Sequence, residues 1–286
     1  MSPIGVFDSG YGGLTVLREI RRLMPQYDYL YLGDNARAPY GTRSFERVYE
    51  FTLQAVRRLF DMGCPLIILA CNTASAKALR TIQQRDLPLL FPPEPIEGSP
   101  EAPSCLPSRR VLGVIRPTAE VVGLLTHTRH VGIVATPGTV SSCTYELEIA
   151  KFHPDLVVTS QACPMWVSLV ENYEFDTPGA DYFVQRDIQR LLQRDPQIDT
   201  IILGCTHFPL LYNKVRACTP AHIKLISQGE YVARSLVDYL KRHPSIDGRL
   251  SRQSTAQFFT TDNPDTFSSA AAVFLGHTVD ASHITL

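Results

Sequence analysis

The sequence has few lysines, no C-x-x-C pair and no long apolar run, and each shortage excludes a class of protein. Only five lysines stand beside 22 arginines, and the formal net charge is −1. A nearly neutral chain lacks the charge of a nucleic-acid or membrane-surface protein, so we expect neither partner. No apolar run approaches the roughly 18 residues of a membrane span. The sequence starts without a basic and apolar leader, and we therefore expect a cytoplasmic protein.

The seven cysteines fit neither a disulfide framework nor a zinc site. Their number is odd, and none lies in a Cys/His cluster at the spacing that zinc ligands require, so no metal site is expected. A free cysteine is most often a small buried hydrophobe. We apply that interpretation to five of them, namely Cys64, Cys105, Cys143, Cys163 and Cys218.

Apolar strands alternate with amphipathic helices along most of the chain. The first unit is a strand, "IGVF", followed by the turn "DSGYGG" and a helix over residues 14–24. Further strands are predicted at residues 29–32 and 66–70. This alternation predicts an α/β fold with parallel sheets, whose ligand crevices lie beyond the carboxyl ends of the strands.

Three strand ends recur in the second half of the chain. "GVFDS" at residues 5–9 matches "GIVAT" at 132–136, and a second strand follows each at the same offset of 127. "LIILACN" at 66–72 and "TIILGCT" at 200–206 are 134 apart. Short apolar strands also look alike by chance, but three in register favour a duplication. We predict two similar open parallel-sheet domains related by a pseudo-twofold, with the active site in the cleft between them.

A proline-rich stretch at about residues 89–110 interrupts this pattern, and we interpret it as a linker or surface insertion. The alternation of strands and helices resumes after it. We predict a first α/β domain formed by residues 1–92 together with 209–286, and a second formed by residues 93–208.

Cys71 and Cys205 differ from the other cysteines because each directly follows an apolar strand. Both precede polar residues at a predicted helix start, in "CNTAS" and "CTHFP". Backbone N–H groups and the helix dipole at such a position lower the pKa of a thiol from its usual value of about 8.5. Each of the two is therefore a candidate thiolate.

Other polar residues near the strand ends allow two interpretations each. Asp8 either caps the turn after its strand or faces the cleft as a carboxylate that holds a proton. His207 either caps a helix or tunes the thiol of Cys205. Glu171 by its pattern alone is the solvated end of a helix. The loop "GDNARAPYG" is either a surface turn or a binding loop in which Pro39 and Gly41 set the backbone.

Two familiar cofactor signatures are missing. The turn "DSGYGG" lacks the G-x-G-x-x-G spacing of a dinucleotide site, and no G-x-x-x-x-G-K-[ST] occurs. Lys77 follows "CNTAS", and a solvated lysine is its ordinary interpretation, so a pyridoxal phosphate enzyme is disfavoured.

Five motifs in order resemble the glutamate racemases of the cofactor-independent aspartate/glutamate racemase superfamily. They are "GVFDSGYGGLTVL", "GDNARAPYG", "ACNTASA", "ACPMWVSLVE" and "GCTHFPLL". The resemblance continues through "SQGEYVARSLVDYL", so it covers nearly the whole chain outside the proline-rich stretch. It implies an enzyme without a cofactor that interconverts L- and D-glutamate and supplies D-glutamate for peptidoglycan.

The resemblance also implies the roles of individual residues. Cys71 and Cys205 would be the two bases, one removing the α-proton and the other returning a proton on the opposite face. Asp8 would assist Cys71, while His207 and Glu171 would assist Cys205. The implied substrate-binding residues are Asp8, Ser9, Tyr40, Gly41, Asn72, Thr73, Thr136, Thr139, Thr206 and His207.

Alternatives remain open from the sequence. One is a racemase of the same superfamily that acts on aspartate or another amino acid, because cleft shape sets the substrate length. Another is a two-lobed amino-acid-binding protein without turnover, although pure binding needs no paired thiols. The resemblance leaves a homodimer open as the assembly.

Overall fold

The computed structural model describes residues 2–91 and 109–286, in which two parallel sheets are flanked by helices. Cys105 and most of the proline-rich stretch lie outside these residues. The strands are β1 (Ile4–Asp8), β2 (Tyr29–Gly33), β3 (Leu66–Leu69), β4 (Arg110–Gly113), β5 (His130–Ala135), β6 (Val157–Ala162), β7 (Thr200–Gly204), β8 (Lys224–Ser227), β9 (Ala256–Thr260) and β10 (Ala281–His283). The α-helices are α1 (Leu14–Leu23), α2 (Phe45–Asp61), α3 (Asn72–Lys77), α4 (Leu79–Thr81), α5 (Leu87–Leu90), α6 (Ile115–Val121), α7 (Pro137–Ser141), α8 (Thr144–Phe152), α9 (Trp166–Glu171), α10 (Pro178–Arg194), α11 (Tyr212–Cys218), α12 (Gly229–Arg242), α13 (Pro244–Asp247) and α14 (Pro264–Leu275). Short 3₁₀ helices cover Asn35–Arg37, Val122–Leu124 and Phe208–Leu211, and a π-helical turn covers Ile82–Asp86.

The two sheets repeat one strand order. The first sheet runs β10-β9-β2-β1-β3-β4 and the second runs β6-β5-β7-β8, and every strand pairing between described residues is parallel. The order β2-β1-β3-β4 therefore recurs as β6-β5-β7-β8, each strand four places further along the chain. The predicted α/β fold with two parallel sheets is confirmed, and the repeated order supports a duplication.

Helices cover both faces of the central strands, which explains why those strands are continuous apolar runs. All residues of β1, β2, β3 and β7 are buried. Helix α1 buries one face, formed by Leu14, Val16, Leu17 and Ile20, and packs against α12. None of the helices in residues 2–91 and 109–286 has the length and apolar character needed to cross a bilayer.

The chain crosses between the sheets twice. It leaves the first sheet after β4 and returns after β8, and at these crossings Gln228 Nε2 donates to the carbonyl oxygen of Val114 at 3.2 Å. The predicted boundaries at 92/93 and 208/209 assigned β4 to the second half and β8 to the first. Backbone pairing places β4 beside β3 and β8 beside β7. The domain division stays a prediction, and strand pairing favours moving both boundaries to these crossings.

Candidate active site

The carboxyl ends of β1, β3, β5 and β7 meet in a cleft between the two sheets, and side chains bond across it. Thr206, which follows β7, donates from Oγ1 to Asp8 Oδ1 at 3.4 Å. Thr15 at the start of α1 donates to the carbonyl oxygen of Thr206 at 3.0 Å. Thr73 and Thr136 share a hydrogen bond of 2.9 Å between their hydroxyls. Predicted residues from the two halves thus contact one another across this cleft.

The glycine turn after β1 allows the second half to approach closely. A Cβ on Gly12 would lie 2.3 Å from Thr206 Oγ1 and 2.5 Å from His207 Nδ1, far inside contact distance. A Cβ on Gly13 would lie 2.5 Å from the Cβ of Asp8. Gly12 therefore lets the turn pack directly against the loop that carries Cys205, and Gly13 lets it pack on Asp8.

Cys71 stands at the N-cap of α3, as the sequence predicted. Its Sγ accepts a hydrogen bond from the backbone N–H of Ala74 at 3.4 Å and lies 3.5 Å from Ser9 Oγ, to which it donates. The residue is 5% exposed. Burial, followed by the negative charge of Asp8, raises the pKa of the Cys71 thiol to about 12. The expectation of a lowered pKa is therefore wrong for Cys71, because desolvation outweighs the helix N–H.

Asp8 is fully buried at the end of β1. Its Oδ2 accepts a hydrogen bond from the backbone N–H of Gly10 at 2.9 Å, and its Oδ1 accepts from Thr206. Burial raises the pKa of Asp8, while the nearby His207 acts in the opposite direction. Asp8 thus connects the glycine turn to the second half and acts on Cys71 through its charge.

Cys205 has different neighbours. It follows β7 directly, and the element after it is the 3₁₀ helix Phe208–Leu211, so no α-helix begins at this cysteine. His207 Nδ1 lies 3.9 Å from Cys205 Sγ, and His207 Nε2 lies 3.0 Å from Oε1 of Glu171, the last residue of α9. Burial lowers the pKa of His207, but the hydrogen bonds to Cys205 and Glu171 outweigh it and raise the pKa to about 10. His207 is therefore protonated at neutral pH.

A cluster of three threonine hydroxyls spans the cleft beside Cys71. Thr136 caps α7 by accepting from the backbone N–H of Thr139 at 3.2 Å. Thr73 lies 2.9 Å from the Thr136 hydroxyl and 3.3 Å from that of Thr139. Gly41 packs on this cluster, since a Cβ there would lie 2.8 Å from the Cβ of Thr136. The three neighbouring hydroxyls can donate hydrogen bonds to an anionic group.

The side chain of Tyr40, a predicted binding residue, is engaged in a hydrogen-bond network within its own half. Its hydroxyl donates to the carboxylate of Asp34, which also pairs with Arg37 at 2.7 Å and accepts from Thr261 Oγ1 at 2.9 Å. Burial raises the pKa of the Tyr40 phenol. This network fixes the loop, so that Gly41 meets the second half.

Tyr145 and Gln228 belong to the site and were not among the predicted residues. The amide of Asn72 donates to Tyr145 Oη at 2.8 Å and to Gln228 Oε1 at 2.7 Å. Asn72 Oδ1 is buried without a hydrogen-bond partner among the described residues. Gln228 directly follows β8, a strand-end position that could have indicated it. Tyr145 lies inside α8, where no sequence signal distinguishes it from a core residue.

The fold and the site define a class: a two-sheet α/β protein with one cysteine from each half at a shared cleft, the arrangement of a racemase. The chain belongs to the Asp/Glu/Hydantoin racemase family, whose model matches residues 4–236. The family predicted from the sequence motifs is confirmed.

Several proteins similar to this chain over nearly its whole length are glutamate racemases. A glutamate racemase of Dinoroseobacter shibae is 39% identical over 291 aligned positions, which cover 97% of each chain. The structure of a glutamate racemase from Bacillus anthracis superposes with a TM-score of 0.85 at 33% identity, covering 100% of this chain and 98% of that one. A glutamate racemase from Francisella tularensis, crystallised in complex with D-glutamate, has a TM-score of 0.82 at 30% identity and covers 99% and 97%.

Proposed function

We propose that this protein is a glutamate racemase that interconverts L- and D-glutamate and supplies the D-enantiomer for peptidoglycan. One observation carries the proposal: two buried cysteines follow the equivalent strands β3 and β7 and line one cleft. The named relatives and the neighbour with bound D-glutamate support glutamate as the substrate.

The proposed reaction moves a proton at the α-carbon. With Cys71 and Cys205 on opposite faces, each sulfur would lie roughly 3 to 3.5 Å from the carbon. One cysteine, as the thiolate, takes the α-proton and leaves a planar carbanion, and the other thiol returns a proton from the opposite face. The two sulfurs exchange roles in the reverse direction, so they titrate as one coupled pair.

The surrounding groups are proposed to assist each base differently. The protonated His207 is held by Glu171 and lies beside the sulfur of Cys205. It is proposed to donate a hydrogen bond to the Cys205 thiolate and to reprotonate this sulfur after the thiol has given its proton to the carbanion. On the opposite side, Ser9 contacts the Cys71 sulfur, and Asp8 sets its charge environment.

The remaining polar groups are proposed to bind the substrate. A carbanion next to a carboxylate is stabilised by preorganised donors around that carboxylate. The hydroxyls of Thr73, Thr136 and Thr139, together with the backbone of Tyr40 and Gly41, form one group of donors. The other consists of Ser9, Asn72, Thr206 and His207, with Asp8 beside them.

We also infer a cytoplasmic location and a homodimer as the assembly. The location follows from the role in making a cell-wall precursor. The assembly is tested by multi-angle light scattering, for which the expected mass is twice the 31.9 kDa of the chain.

Racemisation in D₂O tests the function. Purified protein without added cofactor is incubated with L-glutamate, and the loss of optical activity and the α-deuterium content are followed together. We expect racemised glutamate with one deuterium per turnover, and slow or no racemisation of L-aspartate. A preference for aspartate, or an absolute need for pyridoxal phosphate or a metal, would contradict the proposal.

A further inference from the structure

Lys77 is a buried cation that the proposed chemistry does not use. It is the last residue of α3, the helix that begins after Cys71, and it is 7% exposed. Its expected solvated position is therefore wrong. In residues 2–91 and 109–286 the lysine ion pairs are those of Lys151 and Lys214, so the ammonium of Lys77 has no carboxylate partner there. Burial lowers the pKa of Lys77, while the negative charge of Glu46 acts in the opposite direction.

The ammonium of Lys77 is bound instead by a backbone carbonyl. Its Nζ donates to the carbonyl oxygen of Arg43 at 2.8 Å. The backbone N–H of Arg43 donates in turn to the carbonyl oxygen of Tyr40 at 3.0 Å, which closes the turn of residues 40–43. Lys77 therefore fastens this turn to the helix that carries Cys71.

The middle of the same turn is bonded across the cleft. The backbone N–H of Gly138 in α7 donates to the carbonyl oxygen of Gly41 at 2.8 Å. A Cβ on Gly138 would lie 2.8 Å from that oxygen and 3.0 Å from Lys77 Nζ. The ammonium, the turn and the first residues of α7 thus pack in one contact between the two halves.

We propose that Lys77 is a positioning residue that holds the turn of residues 40–43 against α7 and thereby sets the affinity for the amino acid. The proposal rests on the proposed function, which assigns the backbone of Tyr40 and Gly41 to substrate binding. The ammonium acts through the turn. Without it, Gly41 separates more readily from Gly138, so the closed arrangement has to be formed when the substrate binds.

Steady-state kinetics of Lys77→Met provide the first test. Loss of a hydrogen bond to a charged group corresponds to roughly a tenfold change in an equilibrium constant. We therefore expect KM for both enantiomers to rise roughly tenfold. We expect kcat to stay within about twofold, because the sulfurs and His207 are untouched. Lys77→Arg, which keeps the charge, should recover most of the affinity. Lys241→Met, at an exposed lysine in the last turn of α12, is the matched control and should change neither constant.

Hydrogen exchange provides a test that does not depend on activity. The amide of Gly138 is protected by its bond to Gly41, and NMR-detected exchange of substrate-free protein should show roughly tenfold less protection in Lys77→Met. If the methionine variant fails to fold, Lys77→Gln is expected to show the same change with a smaller amplitude. Unchanged KM with unchanged Gly138 protection would overturn the proposal, and so would a fall in kcat at constant KM. If the wild type does not racemise glutamate, the proposed function fails, and the exchange measurement alone decides the role of Lys77.

Discussion

The two halves share a strand order but surround their cysteines with different groups. Cys71 caps a short helix and contacts Ser9, and its pKa is raised to about 12. Cys205 lies beside His207, whose ring is held by Glu171 and is protonated at neutral pH. The Cys71 side therefore holds its proton on sulfur, and the Cys205 side holds a positive charge on the His207 imidazole.

This difference is compatible with a racemase because the two enantiomers have equal free energies. Their equilibrium constant is one, so kcat/KM must be equal in the two directions. The equality constrains only the ratio, and kcat and KM can each differ between directions. In the proposed mechanism the repeated strand order places one base in each half, while the acid–base groups around the two bases differ.

Replacing either cysteine should have the largest effect. Cys71→Ala and Cys205→Ala are each expected to reduce racemisation by at least about 10³-fold, since each removes one of two proton-transfer groups. The remaining thiol should still exchange the α-proton of one enantiomer with solvent, a different enantiomer in each variant. Circular dichroism measures the racemisation, and NMR in D₂O measures the exchange. Full racemase activity in either variant would end the two-base mechanism.

Gly12→Ala should have the second-largest effect on kcat/KM, because it displaces the loop that carries Cys205. Its Cβ would lie 2.3 Å from Thr206 Oγ1, and a displacement of about 1 Å near the reacting groups costs roughly 10²-fold in kcat/KM. Gly179→Ala is the control, because its nearest neighbour, Thr177 Oγ1, lies at an ordinary 3.5 Å. Equal activity of the two variants would show that the glycine turn does not position the second half.

Glu171→Gln should change how protein stability depends on pH, through the pKa of His207 on the Cys205 side. The pKa of His207 is raised from 6.5 to about 10 in the folded protein, so its contribution to stability is complete below about pH 6.5 and is lost as the pH rises through 10. Without the Glu171 charge the pKa of His207 falls, and this loss moves to lower pH. Thermal unfolding from pH 6 to 11 should show a difference in Tm between the two proteins that is largest near pH 6 and vanishes above 10. An NMR titration of His207 with the same midpoint in both proteins would contradict this assignment.

Tyr145→Phe should have the smallest effect. It removes the hydroxyl that accepts from Asn72, while Gln228 still binds the same amide. We expect kcat/KM to fall about threefold to tenfold and the free energy of unfolding to fall by about 1 kcal/mol. Tyr182→Phe, at a tyrosine that is 61% exposed, should leave both unchanged.

Features that depend on strand ends could be predicted from the sequence. A parallel sheet collects the carboxyl ends of its strands at one edge, so Asp8, Cys71, Thr136 and Cys205 could be placed at one cleft from their strand-end positions alone. The fold class and the family followed from the same motifs and are confirmed.

Features that depend on packing between the halves could not be predicted. The pKa of Cys71 depends on burial by residues distant in sequence, and this burial outweighs the local helix start. Tyr145 reaches Asn72 from 73 positions away. Lys77 follows a polar helix pattern and is buried because the turn at Arg43 and the start of α7 pack over it.

The two chain crossings determine how the molecule can move. Because Val114 and Gln228 are hydrogen-bonded to each other, both covalent connections between the sheets run side by side. Two adjacent connections leave mainly one rotational axis, so the halves can swing but hardly slide. We therefore expect any separation of Gly41 from Gly138 to need backbone torsion changes only near residues 113–115 and 227–229.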